Sequence, residues 1–130
     1  MSSTKPGRGT PPLILCAGIV VIDHVFQVEA IPKPNTKNRA SAFTTTSGGN
    51  MGNAAVAIAR LGGRARLAAP LGGPAGTDIA GDMILRKLEQ ENVDHSTVLR
   101  LPGVHSSISA ILVARGGERA IVNYRDDALA

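Results

Sequence analysis

The sequence predicts an α/β fold with a β appendage, and three observations carry that prediction. The apolar run at residues 13–22 and the segment 64–71 read as buried strands. Helical patterns follow each of them, an Ala-rich one at 54–61 and an amphipathic one at 78–91. Two further strand-like segments, 107–114 and 119–124, flank Gly116-Gly117 and make a hairpin.

Taken in order, residues 1–12 (MSSTKPGRGTPP) are rich in Pro, Gly, Ser and Thr and read as a flexible tail. The run LILCAGIVVI at 13–22 is Ile/Val-rich without a charge, the pattern of a strand covered on both faces in a parallel sheet. A basic stretch before an apolar run also outlines a secretory signal. Here the run ends at Asp23-His24 with no small-residue cleavage site, and Leu15 precedes Cys16 where a lipoprotein signal needs a small residue. The run is also too short to cross a bilayer. The strand reading therefore stands, with a cytoplasmic location and no membrane partner as expectations. Residues 25–28 continue as a second strand, and Ile31-Pro32-Lys33-Pro34-Asn35 is a turn because its two prolines forbid regular pairing. The Ser/Thr-rich stretch 39–46 is extended. Gly62-Gly63 ends the first helix, since glycine takes the left-handed cap conformation without steric cost. After the loop 72–76, Thr77 or Asp78 caps the second helix, which places Ile79, Met83, Ile84 and Leu88 on one face. Residues 93–101 form a link or short strand before the hairpin.

Composition removes several function classes. The chain of 130 residues fits one small domain, and a single cysteine excludes a disulfide framework and a Cys-based zinc cluster. His24, His95 and His105 have no ligand spacing, so no metal site is expected. The net charge is +4, but Lys5 and Arg8 lie in the tail, and residues 13–130 carry 12 bases and 10 acids. Those bases are not interleaved with the three aromatics Phe26, Phe43 and Tyr124, so no nucleic-acid platform is expected.

Two places carry chemistry. Asp23 follows the first apolar run, and ligands of open parallel sheets bind beyond the carboxyl ends of strands. A carboxylate there can accept two sugar hydroxyls, or it can simply close a turn. The segment Ser47-Gly48-Gly49-Asn50-Met51-Gly52-Asn53 precedes a helix. Its glycines allow close backbone approach, and Asn50 and Asn53 share a helix face from which they can bond a polyol. The alternative is a tight strand-to-helix turn with a capping Asn. The glycine spacing fits neither a dinucleotide fingerprint nor a P-loop. The loop at 72–76, Asp126-Asp127 and Cys16 read as structural, and Arg119, just past the hairpin turn, could reach a phosphate or remain solvated.

Six segments together resemble the N-terminal part of the ribokinase-like (PfkB) carbohydrate kinases. They are Gly18-Ile19-Val20-Val21-Ile22-Asp23, Ile31-Pro32, Gly48-Gly49-Asn50-x-x-Asn53-x-Ala55, Ala59-Arg60-Leu61-Gly62-Gly63, Glu91-Asn92-Val93-Asp94 and Gly117-Glu118-Arg119-x-Ile121-Val122. The resemblance runs from Ile14 to Asp126 and looks most like the ketohexokinase and fructokinase-type members. Ribokinases usually have Lys at the place of Asn50 and Asn at the place of Val21, which favours a ketohexose, or a modified one, over ribose.

The resemblance implies a three-layer α/β/α core, present here in its N-terminal part over 13–130, with a small β-sheet lid from strands at about 25–46 and 107–124. It implies that Asp23 binds sugar hydroxyls, that Gly49, Asn50 and Asn53 complete the sugar pocket, and that Arg119 lies near the phosphate. ATP and Mg²⁺ would serve the full-length enzyme, and the lid strands could join a homodimer. The family's Gly-x-Gly-Asp motif, with its general base, is absent from these 130 residues. The chain alone is therefore expected to bind sugar without catalysis. The alternative expectation is a non-catalytic sugar-binding or dimerising module; a nucleotide-binding regulatory domain is the weakest reading.

Overall fold

The structure is a computed structural model and describes residues 9–130. Of the expected tail, residues 1–8 lie outside the described residues, and residues 9–12 are exposed without regular structure. Eight strands, two α-helices and a closing 3-10 turn (Asp127–Leu129) follow among the described residues. Strand β1 (Leu13–Ala17) pairs in parallel with β4 (Arg64–Ala68). Strands β2 (Val21–Val28), β3 (Ala42–Gly48), β7 (Ile108–Ala114) and β8 (Arg119–Tyr124) make a second sheet in the order β3-β2-β7-β8. Strand β5 (Pro70–Gly73) pairs in parallel with β6 (Leu99–Pro102). Helix α1 (Asn50–Arg60) links β3 to β4, and α2 (Ile79–Gln90) follows β5.

The apolar run at 13–22 is two strands rather than one, which corrects the sequence expectation. The β1–β4 ladder ends where Gly18 N–H donates to Ala68 C=O at 3.1 Å. The β2–β7 pairing opens where Ile22 N–H donates to Ser107 C=O at 3.1 Å. Between them the chain changes partners, so one apolar run serves two sheets. Asp23 consequently lies inside β2 rather than just after a strand.

Strand β1 is also not covered on both faces. In a parallel pair, residues in register share a face. Cys16 and Leu67 are in register, are buried, and join one core cluster with Ala55 of α1 and Ile84 and Leu88 of α2. On the opposite face, Leu15 is 59% exposed and Leu13 is exposed too. Both helices therefore pack on one face, and among the described residues no layer covers the other. The edge of β1 away from β4 has no partner among the described residues, and such an edge favours association.

Other elements differ from expectation in detail. Helix α1 starts at Asn50, so the first turn includes both asparagines. The expected strand at 64–71 is interrupted at Ala69 and resumes as β5, which takes in Gly72 and Gly73. In α2, Ile84 and Leu88 are fully buried and Met83 packs partly on the core. Ile79 does not join that face and is 77% exposed, because at 100° per residue it sits well off the Ile84–Leu88 line. Asp78 does cap α2, its carboxylate accepting Gly81 N–H at 2.9 Å. At the β7–β8 turn only Gly117 has a positive φ, of 92°, so the loop needs one such glycine and not two. Gly62, with φ 85°, ends α1 as expected, and Cys16 is a buried core residue.

Candidate functional site

Asp23 occupies the third position of β2 and is in register with Thr46 of β3 and Ser109 of β7. Ser109 is in turn in register with Asn123 of β8. Residues in register across a sheet project from the same face, so Thr46, Asp23, Ser109 and Asn123 form one polar row across all four strands. The next row on that face, Thr44, Val25, Ile111 and Ile121, is mostly apolar. The polar row therefore lies at the end of the sheet that joins the body of the fold.

The glycine segment closes on this row. A Cβ built on Gly48 would lie 2.1 Å from Asp23 Oδ2, so the carboxylate rests over the bare Gly48 backbone. Gly49 has φ 84°, and a Cβ there would lie 2.6 Å from Ile19 C=O. That position needs glycine for its backbone conformation and for the approach of residues 19–20. Gly49 is also the N-cap of α1 and provides no side chain to the helix's free N–H groups. Asn50 Oδ1 accepts Met51 N–H at 2.8 Å and lies beside Gly18. Asn53 lines a cleft of about 380 Å³ together with Thr46, Ser47, Val56 and Arg60 of one wall and Lys87 and Gln90 of α2 and its C-cap Glu91 on the other. Arg60 Nε donates to Glu91 Oε2 at 2.8 Å across the far end of that cleft.

Burial pushes the Asp23 carboxyl above its usual range, while the Ser109 hydroxyl and the charge of His24 pull it back down. His24 itself projects from the opposite face of β2, stacked on Phe43 with ring centroids 6.0 Å apart. That face also exposes Phe43, Val122 and Tyr124.

The structure thus brings Asp23, Gly48 and Gly49 together and links Asn53 to them through Thr46. Asn50 sits at the same helix start but turns toward Gly18. Arg119 is not brought to this place. It is in register with Val113, four residues along β7 from Ser109, or about 13 Å at the usual strand rise. Ser109 and Asn123 were missed by the sequence reading. Their signal was present as polar residues at alternating positions 107, 109 and 123 in otherwise apolar strands. Among the described residues there is no group of three or more His, Cys, Asp or Glu able to hold a metal ion.

Residues 11–130 match the family model described as pfkB family carbohydrate kinase. Fructokinase-1 of Oryza sativa subsp. japonica is 30% identical over 118 residues, which are 91% of this chain and 34% of that protein. The chain thus spans about a third of such a relative's length. The solved "putative ribokinase" of Agrobacterium tumefaciens is 34% identical with a TM-score of 0.84, over 92% of this chain and 38% of that one. Fructokinase from Xylella fastidiosa, solved with bound ATP, is 28% identical with a TM-score of 0.65, over 87% and 33% of the two chains.

Proposed function

From the premise that the chain belongs to the pfkB family of carbohydrate kinases, we propose that it is the sugar-binding portion of an ATP-dependent kinase for a ketohexose. The observation that carries the reading is the seating of Asp23 over Gly48 within a polar row at the mouth of the four-stranded sheet. An ionised carboxylate is acceptor-only and suits two vicinal hydroxyls. Gly49, which lets the backbone of residues 19–20 approach and so sets where α1 starts, would border the sugar, and Asn53, with Asn50 once it turns from Gly18, would add amide donors and acceptors there. The four-stranded sheet, as a lid, excludes water from the bound sugar. Arg119 is assigned the phosphate end of the substrate, across the distance that separates it from Asp23.

In the complete protein ATP would supply the phosphoryl group and Mg²⁺ would neutralise its charge, but the described residues offer no cluster that fits the metal. No step is assigned to them beyond holding and orienting the sugar hydroxyl. Phosphoryl transfer depends on positioning and charge stabilisation, and without a general base the 130 residues alone are proposed to be inactive. Among the described residues no helix is long and apolar enough to cross a membrane. A cytoplasmic location belongs to the same proposal.

A ketose panel assayed on the complete protein with ATP and Mg²⁺ tests the reading. Turnover of a ketohexose is expected, and Asp23→Ala should lower kcat/KM by at least about 100-fold, two lost charge-assisted hydrogen bonds at 1.5–3 kcal/mol each. A complete protein that phosphorylates no sugar rejects it. A second reading, a dimerising module, draws on the exposed Phe43, Val122 and Tyr124 on the face opposite Asp23. Light scattering on the chain and on Val122→Lys tests it: a dimer that the variant dissociates is expected, and a monomeric parent rejects it.

A further inference from the structure

Helix α1 meets the crossover between β1 and β2 through two glycines. Gly49 and Gly52 are three residues apart and share one side of the first turn. A Cβ built on Gly52 would lie 2.9 Å from Val20 Cγ2, 3.5 Å from Val20 Cβ and 3.9 Å from Val20 Cα, and one built on Gly49 would lie 2.9 Å from Val20 Cα. Val20 is 3% exposed, and Gly52 is buried. Glycine inside a helix is less favourable than alanine, and Gly52 has no positive φ that requires it. The approach of Val20 is the reason for a glycine there, and only one methyl group, Cγ2, comes closer than ordinary contact. Asn53 N–H closes the first turn on Gly49 C=O at 3.0 Å, so Asn53 rides on the same turn, about 100° round from Gly52. Three residues beyond Val20 the chain carries Asp23, seated over Gly48. How deeply Val20 enters the glycine seat therefore sets both the distance and the rotation of α1 relative to the carboxylate.

We propose that Val20 is a positioning residue for the sugar site: its Cγ2 methyl, seated on the bare Gly52, sets where the Asn53 amide stands relative to the Asp23 carboxylate. Val20 is buried in the core and acts on the ligand only through α1. The seat works by size, so it can be broken from either side and restored by exchanging bulk between its two members. This inference rests on the reading of Asp23 and Asn53 as sugar ligands, but its first readout does not use sugar.

The test is a size exchange in the full chain: the parent, Val20→Ala, Gly52→Ala and the double variant. Val20→Ala empties the seat, and Gly52→Ala pushes against the Cγ2 methyl. In the double variant the new methyl meets only the Cβ left at position 20, at the ordinary contact distance of 3.5 Å. The side-chain amide of Asn53 is followed by nitrogen-15 NMR, and fructose affinity by calorimetry at a temperature where each chain is folded. The Asn53 signal should move in each single variant and return toward the parent in the double variant. Fructose affinity should fall about 3- to 10-fold in each single variant, the scale of one mis-set hydrogen bond, and recover to within about 2-fold in the double variant. Single variants that melt lower but leave the Asn53 signal and the affinity in place would show packing alone and overturn the proposal. A double variant as displaced as the singles overturns it too. If Val20→Ala does not fold, Gly52→Ala decides by itself, and an unmoved Asn53 signal in that variant rejects the seat. A parent chain that binds no ketohexose while the Asn53 signal moves and returns as expected would refute the sugar reading and leave the seat standing.

Discussion

Gly48→Ala tests the seat of Asp23 directly. The new methyl would meet Asp23 Oδ2 at 2.1 Å and Cγ at 3.0 Å, where ordinary contact begins at 3.4 Å. Gly48 is buried, and it does not have a positive φ, so the backbone itself tolerates alanine. The conflict falls on one short side chain. The carboxylate has to rotate off Gly48, away from Ser109 and the polar row. Overpacking of this kind costs about 1–3 kcal/mol, and on the order of 4 °C in Tm per kcal/mol for a domain of this size. The assay is a double-mutant cycle in thermal melts with Gly48→Ala, Asp23→Ala and the pair. Removing the carboxylate removes the clash, so the pair should be more stable than the sum of the singles by about 1–2 kcal/mol. Additive singles would show that the carboxylate does not rest over Gly48, and the site geometry derived from it would fall.

Asp23→Asn should raise Tm at neutral pH while abolishing ketose binding. Burial raises its carboxyl in the fold, so ionisation opposes folding as pH rises through that value, and a neutral amide avoids the cost. Asp82 and Asp94 act with the opposite sign. Hydrogen bonds from Arg100 and Gly76 hold Asp82 low, and those from Ser96 and then Arg66 hold Asp94 well below the usual carboxylate range. Their contribution is complete above pH ~5 and is lost as pH falls through the lowered values. Asp94→Asn should therefore flatten the acid limb of a melt-versus-pH profile, and an unchanged slope would contradict the assignment. Asp78→Ala removes the acceptor of Gly81 N–H and Ser106 N–H in a buried place and should cost about 2–3 kcal/mol by denaturant titration. Leu67→Ala, at a fully buried core residue, should cost about 2–5 kcal/mol by the same measurement.

Local signals were legible where a single residue type enforces one geometry. Gly62 after α1, Asp78 before α2 and the glycine in the β7–β8 turn all appear where their conformational and capping preferences require. Asp23, Gly49 and Asn53 stood out for the same reason, because a carboxylate or a glycine pair beside an apolar run needs an explanation. Strand partnership was not legible. Periodicity registers burial, and residues 13–22 are apolar whether they pair in one sheet or two. The role of Ser109 and Asn123 was not legible for a related reason: each stands out as polar in an apolar strand, but nothing local says what it faces. Only the pairing of β2 with β7, over 80 residues apart in sequence, places them beside Asp23.

The break at residues 18–20 explains why these particular residues meet. Strands β1 and β4 run in parallel, and their carboxyl ends define the side of the sheet where ligands of open α/β folds bind. A straight continuation of β1 would carry Asp23 past that end into solvent. The chain instead leaves the first sheet after Ala17 and enters the second at Val21. Asp23 is thereby held within reach of the seam and paired on both sides by backbone hydrogen bonds. Those two pairings fix its position more firmly than a loop could. The same turn of the chain brings Ile19 and Val20 against Gly49 and so places the start of α1 beside the carboxylate. Gly49→Ala should accordingly do more damage than Gly48→Ala. Its methyl would press on the backbone of residues 19–20, with Ile19 C=O 2.6 Å and Val20 Cα 2.9 Å away, and its φ of 84° disfavours any side chain. A cost above about 3 kcal/mol is expected from the strain and the clash together. Unlike the Gly48 variant, it should not be relieved by Asp23→Ala. Relief by that second substitution would mean that the seam is held by the carboxylate and not by the backbone.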